Sequence, residues 1–390
     1  MKILHIITRL ILGGAQQNTV SCCAAQVAAG HQVTLAYGPI YGPEGSVLPE
    51  AQKSGAALRE ISSLRRAILP PHDLAAYHAL RRLIRQERPD VVHTHSSKAG
   101  IIGRAAAWTE HTPAVIHTIH GLPFHSRQSR LVYQAYVLAE RWAARRCHRL
   151  IGITRAMCEA FQQHGIGRPG QFEVVPSAVD ISQFQIPTGE RERVRHSLGI
   201  PDNAPVIGLV ARFDPYKGQD DLLNILPGLI AQHPQTRLLF VGDGWNRKHL
   251  EERVAREGFS AHVIFTGLVP PGRVGPLMSA MDIHALPSYQ EGQARTLVQA
   301  LLCDCAIVGY AVGGIPEVCI HGQTGLLAPQ GDQKALLRAI LDLMARPEKR
   351  KRLTAQGKIH AQENFDHRIM IRRVEEIYRA VLKERGSRTK

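Results

Sequence analysis

The sequence predicts an α/β protein built as two doubly wound halves, and three observations carry that prediction. Short runs rich in Val, Ile and Leu alternate with helix-period segments, as parallel sheets require, and this alternation occurs twice. A polar stretch after Pro176 separates the two alternations. The chain, at 390 residues, is longer than one hydrophobic core usually spans. Composition agrees, with 44% hydrophobic and 5% aromatic residues, 34 Gly and 23 Pro, and there is no low-complexity tract or solenoid-period repeat.

In order, a strand at residues 2–7 turns through Gly13-Gly14 into a helix over 15–29 that Gly30 stops. A second strand spans 32–36, a helix 74–86, and a third strand 89–93 opens on the segment Thr94-His95-Ser96-Ser97-Lys98. A strand at 114–118 ends at His120-Gly121, and a long helix over 130–146 precedes strands at 150–154 and 172–175. Loops at the carboxyl ends of strands line the ligand crevice of a doubly wound sheet, which is where Gly13, Gly14, His95, Lys98 and His120 fall. The polar segment to about Pro205 reads as a linker. The second half then supplies strands at 206–211, 237–241, 263–266, 283–286 and 306–308, with a helix over 222–232. The expected organisation is a first Rossmann-like domain at 1–180, a second at 181–365, and a final helix within 366–390 that packs back on the first. The two domains are expected to face each other across a deep cleft.

Charge narrows the partners. Lys and Arg number 48 against 33 Asp and Glu, a net +15. Residues 1–185 carry 20 basic and 11 acidic side chains, so +9 lies in the first half. Its arginines cluster at Arg59, Arg65, Arg66, Arg81, Arg82, Arg85 and Arg88, and again at Arg127, Arg130, Arg141, Arg145, Arg146 and Arg149. No aromatic residues alternate with them as a stacking platform requires, so an anionic membrane surface or anionic acceptor is expected and nucleic acid is not. The seven cysteines are odd in number and lack C-x-x-C spacing, which reads as buried thiols and neither a disulfide framework nor a zinc site. His5 and Arg9 interrupt the apolar N-terminus, and no apolar run reaches membrane-spanning length. The expected location is cytoplasmic, with peripheral contact at the inner face of the cytoplasmic membrane.

The densest chemistry lies between Pro287 and Leu327. Glu291-Gly292 is expected to open a helix backed by Leu297, Val298, Leu301 and Leu302. A strand follows, and Gly313-Gly314 before Ile315-Pro316-Glu317 starts a second helix with Pro in its first turn. Helix starts present unsatisfied N–H groups and suit an anionic or polyhydroxylated ligand. Upstream, Arg212 and Lys217-Gly218 form R-x4-K-G directly after a strand, two cations that can straddle a diphosphate or simply occupy a surface loop. Gly13-Gly14 is either a phosphate approach or a plain tight turn. V-G-D-G at 241–244 lacks the third glycine of the dinucleotide fingerprint, which argues against a dehydrogenase. No Walker A and no G-x-S-x-G follows any strand, and His93 with His95 has no carboxylate pair nearby, so no metal is expected.

The ordered set PSYQEG…GGIPE…G-x-T-G-L, with R-x4-K-G, GGAQ and PSAVD, resembles the family 4 glycosyltransferases of the GT-B fold over essentially the whole chain. The resemblance implies a retaining, metal-independent transferase without a cofactor, whose substrate is a nucleotide-diphosphate sugar. It implies that Arg212 and Lys217 hold the diphosphate, that Gly13 and Gly14 approach it, and that Glu291, the first glutamate of E-x7-E, contacts the donor sugar. Gly218, Gly242, Gly292 and Leu297 are further donor-side residues. The second glutamate of that motif falls on Gln299, which keeps hydrogen-bonding capacity at the nucleotide ribose without charge. PSAVD carries Ala178 where the family commonly has glycine. His120 matches a histidine near the acceptor, with His95 and Lys98 on the same side. The implied acceptor is a saccharide or lipid-linked saccharide of envelope or extracellular polysaccharide assembly. Alternative readings are a nucleotide-sugar 2-epimerase of the same fold and a non-catalytic nucleotide-sugar-binding protein.

Overall fold

The computed structural model describes residues 1–42, 45–125 and 128–386. The chain divides into two compact units: residues 1–178 together with the segment from His367 onward, and Val179–Asp366. In the first, the elements run β1 (Lys2–Ile7), α1 (Gly14–Ala28), β2 (Gln32–Tyr37), α2 (Leu48–Lys53), β3 (Ala57–Glu60), α3 (Pro70–Glu87), β4 (Val91–His95), α4 (Ser97–Thr109), β5 (Ala114–Ile119), α5 (Arg130–Ala144), β6 (Arg149–Gly152), α6 (Arg155–Gln163) and β7 (Phe172–Val174). The strands form one parallel sheet ordered β3-β2-β1-β4-β5-β6-β7. Its central strands β4 and β5 are buried on both faces, the mark of a sheet covered by crossover helices. Leu4, Ile6, Val92 and Val115 face a core with Leu80 and Leu83 of α3 and Ala106 of α4. Ile3, Val91 and Ile116 face the other side.

The second unit begins with a 3-10 turn at Ile181–Phe184 and continues α7 (Glu190–Ser197), β8 (Val206–Val210), α8 (Gln219–Gln232), β9 (Arg237–Val241), α9 (Arg247–Arg256), β10 (Val263–Gly267), α10 (Pro271–Ser279), β11 (Ile283–Leu286), α11 (Arg295–Leu302), β12 (Ala306–Tyr310), α12 (Ile315–Val318), β13 (Leu326–Ala328), α13 (Gln333–Ala345) and α14 (Pro347–Asn364). Its parallel sheet is ordered β10-β9-β8-β11-β12-β13. Strand order therefore reverses between β1 and β4 in one unit and between β8 and β11 in the other, and ligands of doubly wound sheets bind beyond the strand ends at such reversals.

The last helix, α15 (His367–Gly386), belongs to the first unit. Val374, Tyr378 and Val381 pack into the cluster that holds Ile3, Val91 and Ile116. The first unit ends at Ala178, two residues before the boundary expected after Asp180. The segment expected to be a linker contains α7, whose polar sequence conceals its packing. Arg191 and Arg195 donate to the two oxygens of Asp282 at 2.8 and 2.9 Å, and Arg195 also donates to the carbonyls of Ala280 and Ala204. These bonds satisfy a guanidinium that is only 3% exposed.

All seven cysteines are free and buried. Burial pushes the Cys22, Cys147 and Cys303 thiols up to about 12, so they stay protonated near neutrality. Among the described residues no helix is long and apolar enough to cross a membrane.

Candidate active site

In the second unit, the loops leaving β8 and β11 bring the predicted donor-side groups together. The first loop is built on Asp214: its Oδ2 accepts from Nη2 of Arg212 at 2.9 Å, its Oδ1 from the backbone N–H of Tyr216 at 3.0 Å, and its carbonyl from that of Lys217 at 2.9 Å. The Arg212 guanidinium is half exposed and lies 5.0 Å from the ring centroid of the exposed Trp245, a cation–π arrangement. Lys217 Nζ reaches across to Glu291 Oε1 at 2.6 Å, and the same oxygen accepts from Ser288 Oγ at 2.9 Å. Gly218, at φ +82, lets the loop approach Pro287, since a Cβ there would stand 2.2 Å from the Pro287 carbonyl oxygen. Gly242 closes β9, its N–H donating to the carbonyl of Gly267 at 3.1 Å.

Glu291 does not open a helix. It sits in a loop four residues before the first residue of α11, Arg295. The glycine pair downstream explains the difference. Gly313, at φ +51, packs so closely on the Glu291 backbone that a Cβ would lie 2.0 Å from its carbonyl oxygen, and Gly314 donates to the Gly292 carbonyl at 2.9 Å. Gly313-Gly314 thus fixes the carboxylate loop in addition to preceding α12, which forms as expected but is a single turn. Leu297 is fully buried in the hydrophobic core, so its side chain faces that core and not a ligand. Gln299, on the same helix, is half buried.

In the first unit, Gly13 caps α1 with an extended backbone, φ 179, and Gly14 is the helix's first residue. The strand β4 runs to His95, which therefore lies within the sheet and not on the loop beyond it, and is 2% exposed. Lys98 is committed elsewhere: its Nζ pairs with Asp73 Oδ1 at 2.5 Å and donates to the Ala67 carbonyl, tying α4 to the start of α3. Neither side chain is placed to meet an acceptor. His120 is half buried at the end of β5 and lines a cavity of about 280 Å³ with Ser96, Ser97, Gly121, Leu122 and Glu140. Ser96 holds φ +61, a costly conformation for a non-glycine residue, where its hydroxyl bonds Thr8 Oγ1 at 2.7 Å. Glu140 in turn pairs with the fully buried Arg104 at 2.7 Å.

Behind His120 lies a cluster that sequence reasoning missed. Register places His5 of β1 beside His93 of β4, and His95 lies two residues on, so the three share one face of the sheet. Burial pulls His5 down to about 4, a Gln26 hydrogen bond acting the other way. Burial first, and neighbouring histidines second, hold His93 and His95 well below the usual histidine range. These three rings bring ligand atoms within 4.8 Å of one another; His5 and His95 stack with centroids 5.2 Å apart, and His93 is tilted against His95 at 4.2 Å. All six ring nitrogens hydrogen-bond within 3.0 Å: to one another, and to Gln26, Tyr378, Thr118 and His120. A metal ion at these rings would have to replace those bonds.

Two parallel-sheet units of this topology, with cations and a carboxylate at the reversal of the second, define a glycosyltransferase of the GT-B fold. Residues 190–360 match the family described as glycosyl transferases group 1, and residues 13–178 match the glycosyl transferase 4-like domain. The chain belongs to the family 4 glycosyltransferases, as its ordered motifs implied. It is 29% identical over 298 residues to the 2-deoxystreptamine N-acetyl-D-glucosaminyltransferase of Streptomyces fradiae, covering 72% of this chain and 69% of that one. It is 28% identical over 243 residues to the Escherichia coli UDP-Gal:alpha-D-GlcNAc-diphosphoundecaprenol alpha-1,3-galactosyltransferase, covering 62% of each. HepE of Anabaena, solved with UDP and with UDP-glucose, shares the fold with a TM-score of 0.83 at 22% identity, covering 97% of this chain and all of HepE.

Proposed function

We propose that this glycosyltransferase is retaining and metal-independent, and that it moves a hexosyl or related group from a nucleotide-diphosphate sugar to a saccharide or lipid-linked acceptor. The observation that carries the reading is the trio at the β8–β11 reversal: Arg212 as a fork, Lys217 as a point charge, and Glu291 within 2.6 Å of that charge. A diphosphate entering beside Arg212 competes with Glu291 for Lys217, and the released carboxylate accepts from sugar hydroxyls. The route we infer is front-face attack, in which no side chain serves as the nucleophile. In that route the acceptor oxygen bonds to the anomeric carbon as the bond to the diphosphate oxygen breaks. The acceptor proton passes to the departing phosphate, whose charge Arg212 and Lys217 offset. No cofactor takes part. The cavity beside His120 is the acceptor side.

The test is a screen of UDP-, GDP- and ADP-sugars for release of the nucleoside diphosphate, with and without lipid-linked saccharides. In the donor so identified, Glu291→Gln is expected to lower kcat about 100-fold with the circular dichroism spectrum unchanged. Full activity in that variant would remove Glu291 from the sugar.

We propose that the acceptor is met at the anionic inner face of the cytoplasmic membrane. On α5, Leu131, Ala135, Leu138 and Trp142 recur at helical spacing on the solvent side, with Leu131 84% and Leu138 59% exposed, and Arg130, Arg141, Arg145 and Arg146 flank the stripe. Before and at the start of α3, exposed Ile68, Leu69 and Leu74 follow Arg65 and Arg66. Other arginines of the basic clusters are paired internally: Arg81 and Arg85 hold Glu110 at 2.5 and 2.8 Å, and Arg149 holds Glu384. Arg127 lies outside the described residues. Wild-type protein is expected to sediment with vesicles rich in anionic lipid at low salt, and Leu131→Glu with Leu138→Glu to stay in the supernatant. Wild-type protein that ignores such vesicles would refute the membrane assignment.

A further inference from the structure

His120 is the end of a hydrogen-bonded relay whose direction can be counted from the far side. On α1, the Gln26 amide nitrogen donates to Cys22 Sγ at 3.3 Å, which turns its Oε1 toward Nε2 of His5 at 2.8 Å. A carbonyl oxygen only accepts, so His5 carries its proton on Nε2. A neutral imidazole has one N–H, which makes His5 Nδ1 an acceptor. Its partner at 2.9 Å, Nε2 of His95, must then donate, and His95 Nδ1 must accept from Nε2 of His120 at 3.0 Å. We propose that His95 and His5 are positioning residues that hold His120 in the Nε2–H tautomer, so that it offers Nδ1 as the acceptor nitrogen to a substrate hydroxyl.

Burial supports the counting, because it disfavours the imidazolium forms of His5 and His95 that would carry two protons and break the sequence. His93, tilted against the pair, spends both nitrogens outside the relay: Nδ1 on the Tyr378 hydroxyl at 2.5 Å and Nε2 on Thr118 Oγ1 at 2.7 Å. The relay stops at Gln26, since an amide oxygen is too weakly basic to take the proton, so it orients His120 without draining a proton from it. The consequence for the substrate is specific. A neutral acceptor nitrogen selects a hydroxyl donor, a sugar or saccharide oxygen, and leaves phosphate charge to Arg212 and Lys217. This assignment of the ligand rests on the transferase reading above, whereas the tautomer does not.

The test is two-bond proton–nitrogen correlation spectroscopy on the full chain labelled with 15N-histidine at pH 7, which reports the protonated nitrogen of each ring. His5, His95 and His120 are all expected as Nε2–H. Gln26→Leu removes the fixed acceptor three hydrogen bonds from His120. It is expected to shift His120 to a mixture of tautomers and to lower kcat about tenfold, with the donor KM within twofold. His95→Phe, a second cut should the first fail to fold, is expected to do the same. Finding His120 as Nδ1–H in the wild type, or unmoved in both folded variants, would overturn the relay. If the tautomers move as expected and transfer does not slow, the relay stands and the hydroxyl contact of His120 is wrong.

Discussion

Lys217→Ala and Arg212→Ala are each expected to lower kcat for sugar transfer by about two orders of magnitude or more, the effect of losing one preorganised charge at a developing anion. The two losses should differ in origin. Arg212 is half exposed and lies over the face of Trp245, but its partner Asp214 is only 7% exposed, so its removal leaves that carboxylate on the Tyr216 N–H and loosens the β8 loop as well as taking a charge from the phosphate. Lys217 is the cationic partner of Glu291, whose side chain is only 10% exposed. Its removal leaves that carboxylate with the Ser288 hydroxyl alone, and the donor should bind more weakly as well as react more slowly. Steady-state kinetics with the preferred nucleotide sugar separates the cases, and wild-type kcat in either variant contradicts the diphosphate assignment.

Acid should open the first unit before the second. Unfolded histidines bind protons near 6.5, whereas His5 is held at about 4 and His93, His95 and His117 well below the usual value, all by burial first. Below pH 6.5 the unfolded chain therefore binds more protons than the folded one, so this contribution is complete above that value and is lost as pH falls toward the folded values. Each such histidine removes ~1.4 kcal/mol per pH unit, and four together remove ~5.6 per pH unit, against a typical total of ~5–15. The second unit has His284, held at about 4, as its fully buried counterpart. Hydrogen exchange followed from pH 7.5 to 4 is expected to show β1, β4 and β5 losing protection near pH 5, ahead of β8, β11 and β12. Protection in β1 and β4 that persists at pH 4.5 would contradict this.

The fold class was legible in the sequence because parallel strands buried on both faces read as apolar runs, whereas the strand orders, and with them the two reversal points, depend on which distant strands pair. Arg212, Lys217 and Glu291 were legible because each lies at or just after a strand end, and residues 74 positions apart meet there at 2.6 Å. The start of α11 was not, because the loop that delays it is held by Gly313, a contact from another element. The helix α7 was hidden by its own composition, since ERERVRHS reads as solvated until Asp282 is known to lie beneath it. His5 was missed because a single histidine in an apolar strand carries no local signal, and its partners Gln26 and His95 are 21 and 90 residues away. The available clue was the alternation of His93 and His95 in a strand that adjoins β1, which puts three imidazoles on one face.

The return of α15 to the first unit has a consequence for biosynthesis. Residues 1–178 emerge from the ribosome before the second unit, but Val374, Tyr378 and Val381, which close one face of their sheet, are made after it. His93 must wait for the hydroxyl of Tyr378 across 285 residues of sequence. The contiguous second unit, Val179–Asp366, can finish its core while the older half of the chain is still incomplete, so maturation runs against the direction of translation. A nascent chain stalled before residue 367 should accordingly be protease-resistant in its younger part and sensitive in its older one.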